Sequence, residues 1–84
     1  MEFVVYILYS KQFDKIYIGY TSDLVSRFHS HNKLSPNGWT KRFRPWEVIY
    51  VEFIDTKQSA LKREKELKSH QGRDFIRINL LKQY

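Results

Sequence analysis

Three apolar stretches rich in β-branched and aromatic residues predict a small sheet. Phe3–Tyr9 is apolar throughout, Ile16–Tyr20 follows a polar link, and Trp46–Ile54 comes after a proline. Such residues favour strands. Because the link Ser10–Lys15 is short, the first two strands are expected to form an antiparallel hairpin.

Helical periodicity fills most of the remaining chain. It predicts three helices, at Asp23–Asn32, Lys57–His70 and Arg73–Lys82. Thr56 is the expected N-cap of the second helix, and Gly72 is expected to break the chain between the second and the third. The resulting order, strand, strand, helix, strand, helix, helix, predicts an α+β fold. We expect a small three-stranded, mainly antiparallel sheet flanked by helices in a single domain over residues 1–84.

Glu64 is the hardest side chain to explain as surface. With about 100° of turn per residue, it falls about 60° from Leu61 and about 60° from Leu67, while Arg63 points away from Leu61. Glu64 therefore lies within the predicted apolar stripe. An inward carboxylate must be paired, protonated or bound to a cation. A salt bridge to Lys68, four residues on, or to a neighbouring strand is the purely structural explanation.

Arg27 and His31 lie four residues apart on the first predicted helix, at the edge of its apolar stripe. Arginine suits phosphate because its planar fork donates two hydrogen bonds at once. Alternatively, Arg27 lies over the core as a surface residue and His31 is a half-buried histidine. In the second strand, Tyr17 and Gly19 share a face. A glycine in a strand often marks the close approach of a ligand or of another backbone.

The charge pattern indicates a polyanionic partner. The chain carries 15 Lys and Arg against 9 Asp and Glu, a formal charge of +6, and no acidic residue lies between Leu24 and Trp46. The predicted loop Lys33–Arg44 ends in Trp39–Arg44, which interleaves aromatic residues with Lys41, Arg42 and Arg44. That composition suits phosphate contacts and base stacking. The alternative is an aromatic pair that docks the loop while its cations remain in solvent.

Several classes of protein are excluded or disfavoured. The chain has no cysteine, so it has neither a disulfide nor a thiolate zinc site. No P-loop or dinucleotide fingerprint occurs. The longest apolar run is too short for a membrane span or a signal-peptide core, and cytoplasmic residence is the default expectation.

Taken in order, these residues resemble the GIY-YIG nuclease superfamily. The first motif is Val4-Val5-Tyr6, with Val4 where the family name has glycine, and the second is Tyr17-Ile18-Gly19. Arg27, His31, Ala60–Glu64 and Lys68 follow. The match runs from about Val4 to Arg73. The chain resembles in particular the short single-domain bacterial members of this superfamily, which are similar to the N-terminal catalytic domain of the excision-repair nuclease subunit UvrC.

The resemblance implies a role for each matched residue. Tyr17 is expected to be the general base that activates water, Tyr6 to shape the site, and Arg27 to stabilise charge on the scissile phosphate. His31, where other branches place tyrosine, is expected to support the tyrosine or the phosphate. Glu64 is expected to be the sole protein ligand of one Mg²⁺ or Mn²⁺, which keeps several waters. Asn79 is a possible counterpart of a late family asparagine.

The expected function is therefore metal-dependent endonucleolytic hydrolysis of DNA, in repair, recombination or mobile-element processing. The DNA is expected to be branched or damaged, with Arg27, Lys41, Arg42 and Arg44 contacting it and a protein partner supplying specificity. The alternative is a non-catalytic nucleic-acid-binding module with the same fold. A third possibility is a basic structural or interaction protein with no nucleic-acid role, in which a salt bridge accounts for the inward Glu64.

Overall fold

The fold is described from a computed structural model, which covers residues 3–24 and 42–82. Its order is β1 (Phe3–Ser10), β2 (Lys15–Thr21), β3 (Glu47–Ile54), α1 (Lys57–Lys68), α2 (His70–Phe75) and a π-helix (Ile76–Leu80). The predicted helix Asp23–Asn32 and the predicted loop Lys33–Arg44 lie mostly outside the described residues. The expected α+β class is confirmed.

The three strands form one antiparallel sheet in the order β2-β1-β3. The predicted hairpin is confirmed, with Tyr6 opposite Gly19 and Ile7 opposite Ile18. β1 is central, and each residue from Val4 to Ser10 is buried. A strand covered on both faces needs apolar side chains at every position, which explains its unbroken apolar run.

The sheet separates two apolar clusters. On one face Val5, Ile7 and Ile18 pack with the helical residues Ala60, Leu67 and Ile76 and with Leu81, which follows the last helix. On the other face Val4, Tyr6, Leu8 and Trp46 pack with Tyr17, Leu24 and Phe43. Trp46 lies just before β3, not within it as predicted, yet only 3% of it is exposed.

Helix α1 begins as predicted but ends two residues earlier. Thr56 is its N-cap, because the Ser59 amide donates to Thr56 Oγ1 at 3.1 Å. Its buried residues are Ala60 and Leu67, whereas Leu61 is 38% exposed. The apolar stripe was therefore centred on the wrong residue. Helical spacing fixes relative directions, but sheet packing decides which of them faces the core.

Ser69, not Gly72, separates the helices. The Ser69 amide donates to Lys65 O and Glu66 O, and its hydroxyl donates to Glu66 O at 2.6 Å. The same hydroxyl accepts from the Gly72 amide at 3.1 Å, so Ser69 ends α1 and starts α2. The prediction that Gly72 breaks the helix was wrong. Gly72 lies inside α2, where a Cβ would collide with the carbonyl oxygens of Glu66 and Leu67.

The last helical region begins earlier than predicted and changes its winding. After α2 the chain continues as a π-helix, and the Leu81 amide donates to Ile76 O, five residues earlier, at 3.0 Å. Ile76 and Leu81 are buried in the first apolar cluster. Within the described residues, no helix is long and apolar enough to cross a membrane.

A charged cluster ties α1 to β3. Arg63 Nε donates to Glu52 Oε1 at 2.8 Å, and the Tyr50 hydroxyl donates to Glu52 Oε2 at 2.6 Å. Burial pushes the pKa of Glu52 up, but these hydrogen bonds outweigh it, so its pKa lies below the usual value. Arg63 was predicted to point away from the core. Instead it spans the gap to the neighbouring strand.

Candidate active site

Two tyrosines and a glycine form a compact unit across β1 and β2. Tyr6 is 1% exposed and is the cross-strand partner of Gly19. Its ring stacks on that of Tyr17, with centroids 6.2 Å apart and planes 28° apart. A Cβ at position 19 would lie 2.7 Å from the Tyr6 hydroxyl oxygen and 3.0 Å from Tyr17 Cε1. Gly19 is therefore required by a side chain of the chain itself, the Tyr6 ring.

Tyr17 is the more accessible of the two tyrosines. It is half-buried and also meets the Trp46 ring edge-on, at 6.3 Å between centroids and 64° between planes. Two aromatic neighbours leave this ring little freedom to rotate. A side chain held in this way suits a reaction that depends on the direction of a single hydroxyl.

Tyr17 borders an open groove at the edge of β2. The groove has a volume of about 450 Å³, and Lys68 at the end of α1 also lines it. The Lys68 ammonium lies 3.4 Å from Glu64 Oε1. Lys68 therefore contacts the predicted metal ligand and shares a groove with the predicted base.

Glu64 occupies a position intermediate between core and surface. Its side chain is 17% exposed, against 53% for Glu66 one half-turn further along the same helix. The Lys68 contact is the salt bridge that a purely structural explanation requires, and it is long for an ion pair. No group of three or more His, Cys, Asp or Glu side chains converges in residues 3–24 and 42–82.

The donor chemistry of Glu64 nevertheless fits a hard divalent cation. Such cations prefer oxygen ligands, and Mg²⁺ in particular is commonly held by one or two carboxylates together with water and phosphate. A carboxylate that is partly exposed and held by one long ion pair can exchange that partner for a metal ion. The role of Glu64 as the one protein ligand of a metal ion stays a prediction.

Arg42 and Phe43 lie near Lys15, which also lines the groove. The Arg42 guanidinium lies 5.6 Å from the centroid of the Phe43 ring, and Lys15 Nζ lies 5.4 Å from it. Phe43 packs against the second apolar cluster and meets Phe13 edge-on. The two interpretations of this segment are therefore compatible, since the aromatic ring docks while Arg42 stays exposed.

Other predicted site residues lie elsewhere or beyond the described ranges. Arg44 is half-buried beside Phe43, and Asn79 is exposed on the π-helix. Arg27, His31 and Lys41 lie outside the described residues. The roles given to them, to Arg44 and to Asn79 stay predictions.

Sequence reasoning missed the role of Asp14, which closes the β1–β2 turn. Its φ of 54° is left-handed, a conformation that aspartate tolerates better than most residues. Its carboxylate accepts from the Tyr9 hydroxyl at 2.9 Å and pairs with Arg77 of the π-helix. Hydrogen bonds from Arg77 and Tyr9 hold the pKa of Asp14 below its usual value. A separation of 63 residues between Asp14 and Arg77 left no local signal of this pair.

Comparison with known proteins assigns the class. A family model described as the GIY-YIG catalytic domain matches residues 2–79. The chain therefore belongs to the GIY-YIG catalytic-domain family, and within it to the UPF0213 group of small bacterial proteins.

The relatives are of similar length. The UPF0213 protein SSP2268 of Staphylococcus saprophyticus is 40% identical over 74 residues, which cover 88% of this chain and 89% of the relative. A UPF0213 protein of Staphylococcus aureus is 36% identical over 63 residues, covering 75% and 77%. The solution NMR structure of the UPF0213 protein BH0048 from Bacillus halodurans matches with a TM-score of 0.56 and 25% identity. That match covers 95% of this chain and 87% of the other.

Proposed function

We propose that this protein is a metal-dependent endonuclease that hydrolyses phosphodiester bonds in DNA. The observation that supports this best is the stacked Tyr6–Tyr17 pair over Gly19, bordering a groove that is also lined by the lysine paired with Glu64. The chain is a GIY-YIG catalytic domain over nearly its whole length, which makes nucleic acid the natural substrate.

In this proposal Tyr17, as the phenolate, accepts the proton of the attacking water. The water oxygen bonds to phosphorus while the bond from phosphorus to the leaving sugar oxygen breaks. Tyr6 holds the Tyr17 ring by stacking, and Trp46 limits its rotation from the edge. Arg27 would neutralise charge on the non-bridging phosphate oxygens, because guanidinium donates two parallel hydrogen bonds.

Glu64 would hold the single Mg²⁺ or Mn²⁺ through its carboxylate. A bound divalent cation supplies Lewis-acid stabilisation of charge on the phosphate and the leaving oxygen. With Glu64 engaged in this way, Lys68 would lose its carboxylate partner, and its ammonium would be available to a phosphate oxygen. Selection of branched or damaged DNA is assigned to a separate protein partner.

The alternative is a nucleic-acid-binding module that does not turn over. The Glu64–Lys68 contact at 3.4 Å favours it specifically, because it gives Glu64 a structural role without a metal. The two functions differ in what Lys68→Met does to Mn²⁺ binding. If Glu64 is a metal ligand, Lys68→Met should bind Mn²⁺ more tightly than wild type, because the Lys68 ammonium no longer competes for the carboxylate. If Glu64 is only structural, neither wild type nor Lys68→Met should bind Mn²⁺.

The test is a cleavage assay on single-stranded, duplex, flapped and four-way DNA with Mg²⁺, Mn²⁺ or EDTA. Wild type is compared with Tyr17→Phe and Glu64→Gln. We expect Tyr17→Phe to lose at least about 100-fold in rate, because general-base catalysis contributes roughly 10²–10⁴. We expect Glu64→Gln to abolish cleavage, because the amide would not hold the metal ion. Tyr20→Phe lies on the opposite face of β2, and Glu66→Gln is an exposed neighbour on α1. Both of these controls should cut at the wild-type rate.

The outcomes separate the proposals. Cutting by wild type and both controls, but not by Tyr17→Phe or Glu64→Gln, supports the endonuclease. Equal cutting by all five proteins would indicate a contaminating nuclease and remove the basis for these roles. A gel shift without cutting, together with no Mn²⁺ binding by Lys68→Met, would establish the binding module instead.

A further inference from the structure

The groove at the edge of β2 is more basic than the proposed reaction requires. Four cations line it, contributed by different elements: Lys15 of β2, Lys68 of α1, Arg73 of α2 and Arg77 of the π-helix. A cluster of like charges is unfavourable unless something compensates it. Only two carboxylates, Asp14 and Glu64, pair with members of this set within the described ranges, so two positive charges remain.

The two uncompensated cations are Lys15 and Arg73. In the part of the chain that the structure describes, neither has a carboxylate within salt-bridge distance. Lys15 Nζ is held over the Phe43 ring, and Arg73 Nε donates to the Lys68 carbonyl oxygen at 3.2 Å. These contacts orient both side chains and leave their charges unneutralised. Arg73 retains its terminal NH₂ groups for an anion.

The size of the groove selects among anions. Its volume of about 450 Å³ lies within the range of small-molecule sites, about 300–1,000 Å³. It has room for a nucleotide unit, far more than a single phosphate needs. The remaining lining is Asp14, whose carboxylate is paired with Arg77, together with the aliphatic Ile16 and Ile18 and with Tyr17. The aliphatic part of the lining can contact a sugar ring, but it has no polar groups that would distinguish one base from another.

We propose that this groove binds the backbone of the substrate strand next to the cleaved bond, with Lys15 and Arg73 contacting non-scissile phosphates. The inference rests on the proposed function for the identity of the ligand, and it assigns a role to two groove residues, Lys15 and Arg73, that the proposed reaction does not use. Because Tyr17 is among the residues that line the groove, the bound strand would run along β2, the strand that carries the proposed base. Arg77 stays paired with Asp14 and serves to position the turn.

The test measures binding without cleavage. A fluorescent 12-nucleotide single strand is titrated into Glu64→Gln protein by anisotropy at several salt concentrations. Adding Lys15→Gln and Arg73→Gln together should weaken binding about 10-fold. It should also lower the salt slope by about 1.4, since each phosphate contact on single-stranded nucleic acid contributes roughly 0.7. Lys62→Gln, which lies on the exposed surface of α1 and is not among the groove residues, removes one positive charge and is the charge control; it should change each value by less than half as much.

Arg73→Lys separates charge from structure. It keeps the positive charge but loses the Nε donation to Lys68 O, so it should retain most of the binding that Arg73→Gln loses. If Arg73→Lys binds as poorly as Arg73→Gln, the effect is structural and the inference fails. It also fails if the double variant matches Lys62→Gln in affinity and salt slope.

Competition distinguishes the source of the phosphate. Inorganic phosphate and a mononucleotide should each compete only at millimolar concentration, because they offer one phosphate to a site that spans more. Micromolar competition by the mononucleotide, lost on Arg73→Gln, would make this a free-nucleotide site and overturn the strand proposal. Cleavage by wild type with unchanged binding by the double variant would reject the groove alone. Groove-dependent binding by a protein that cuts nothing would support the groove and reject the nuclease.

Discussion

The Tyr6–Gly19–Tyr17 unit depends on the absence of a Cβ at position 19. Tyr6 covers Gly19 from the adjacent strand, so the backbone at position 19 serves as a platform for the ring. A glycine in a strand costs conformational entropy. Because position 19 has no side chain, Tyr6 can stay buried and stack on Tyr17. This stacking orients the Tyr17 ring, which carries the proposed base.

Gly19→Ala is expected to destabilise the protein by about 1–3 kcal/mol, because the new methyl group displaces the Tyr6 ring from a packed position. Urea unfolding measures this. In a double-mutant cycle with Tyr6→Phe, the alanine should cost less, since the nearest atom to the added Cβ is the Tyr6 hydroxyl oxygen. An equal cost in both backgrounds would show that backbone strain, not the tyrosine, is responsible.

Single residues also show where sequence reasoning reaches its limit. The direction of Glu64 could be predicted from helical spacing, because its angle to Leu67 is a local property. The exposure of Leu61 and the inward reach of Arg63 could not, because both depend on where the sheet lies against α1. The tyrosines and Gly19 were found from their motif, whereas Lys15, Arg73 and Arg77 meet only after the chain has folded.

At the scale of elements, the placement of α1 decides where Glu64 lies. The helix is held at its start by Thr56, at its end by Ser69, and along its length by Arg63 bonded to Glu52 of β3. The strands and the N-cap were predictable from local composition. The break at Ser69 was assigned instead to Gly72, because glycine is the stronger local signal and the hydrogen bonds that make Ser69 a cap are seen only in the structure.

Glu52→Gln should destabilise the protein by about 1–2 kcal/mol at pH 7, since the carboxylate accepts two hydrogen bonds and the amide can replace only part of them. The folded-state pKa of Glu52 lies below its ordinary value of 4.5. Its contribution is therefore fully present above about pH 4.5 and is lost as the pH falls through the folded-state pKa. Urea unfolding at pH 7, 5 and 3 should show the difference between wild type and Glu52→Gln shrinking at pH 3. A difference that is constant with pH would mean that the charge of Glu52 contributes nothing.

At the scale of the whole molecule, charge is arranged around the sheet edge where the proposed chemistry lies. Lys15 lies between the groove and Arg42. It lines the groove, and its ammonium and the Arg42 guanidinium both lie near the Phe43 ring. The sequence indicated an excess of cations between Leu24 and Trp46. It gave no sign that cations far apart along the chain would line one groove.

Arg42→Ala with Arg44→Ala should weaken DNA binding at all sequences and lower the salt slope by about one to two, because phosphate contacts release counterions without reading bases. The measurement is the anisotropy titration in the Glu64→Gln background, with Lys62→Gln as the charge control. Phe43 is left in place, so the loop keeps its aromatic anchor in the second apolar cluster. If this surface is continuous with the groove, combining both pairs of substitutions lowers the slope by about the sum of the two separate effects, as expected for independent phosphate contacts. An unchanged slope for the Arg42 and Arg44 variant would place the strand on the groove side alone.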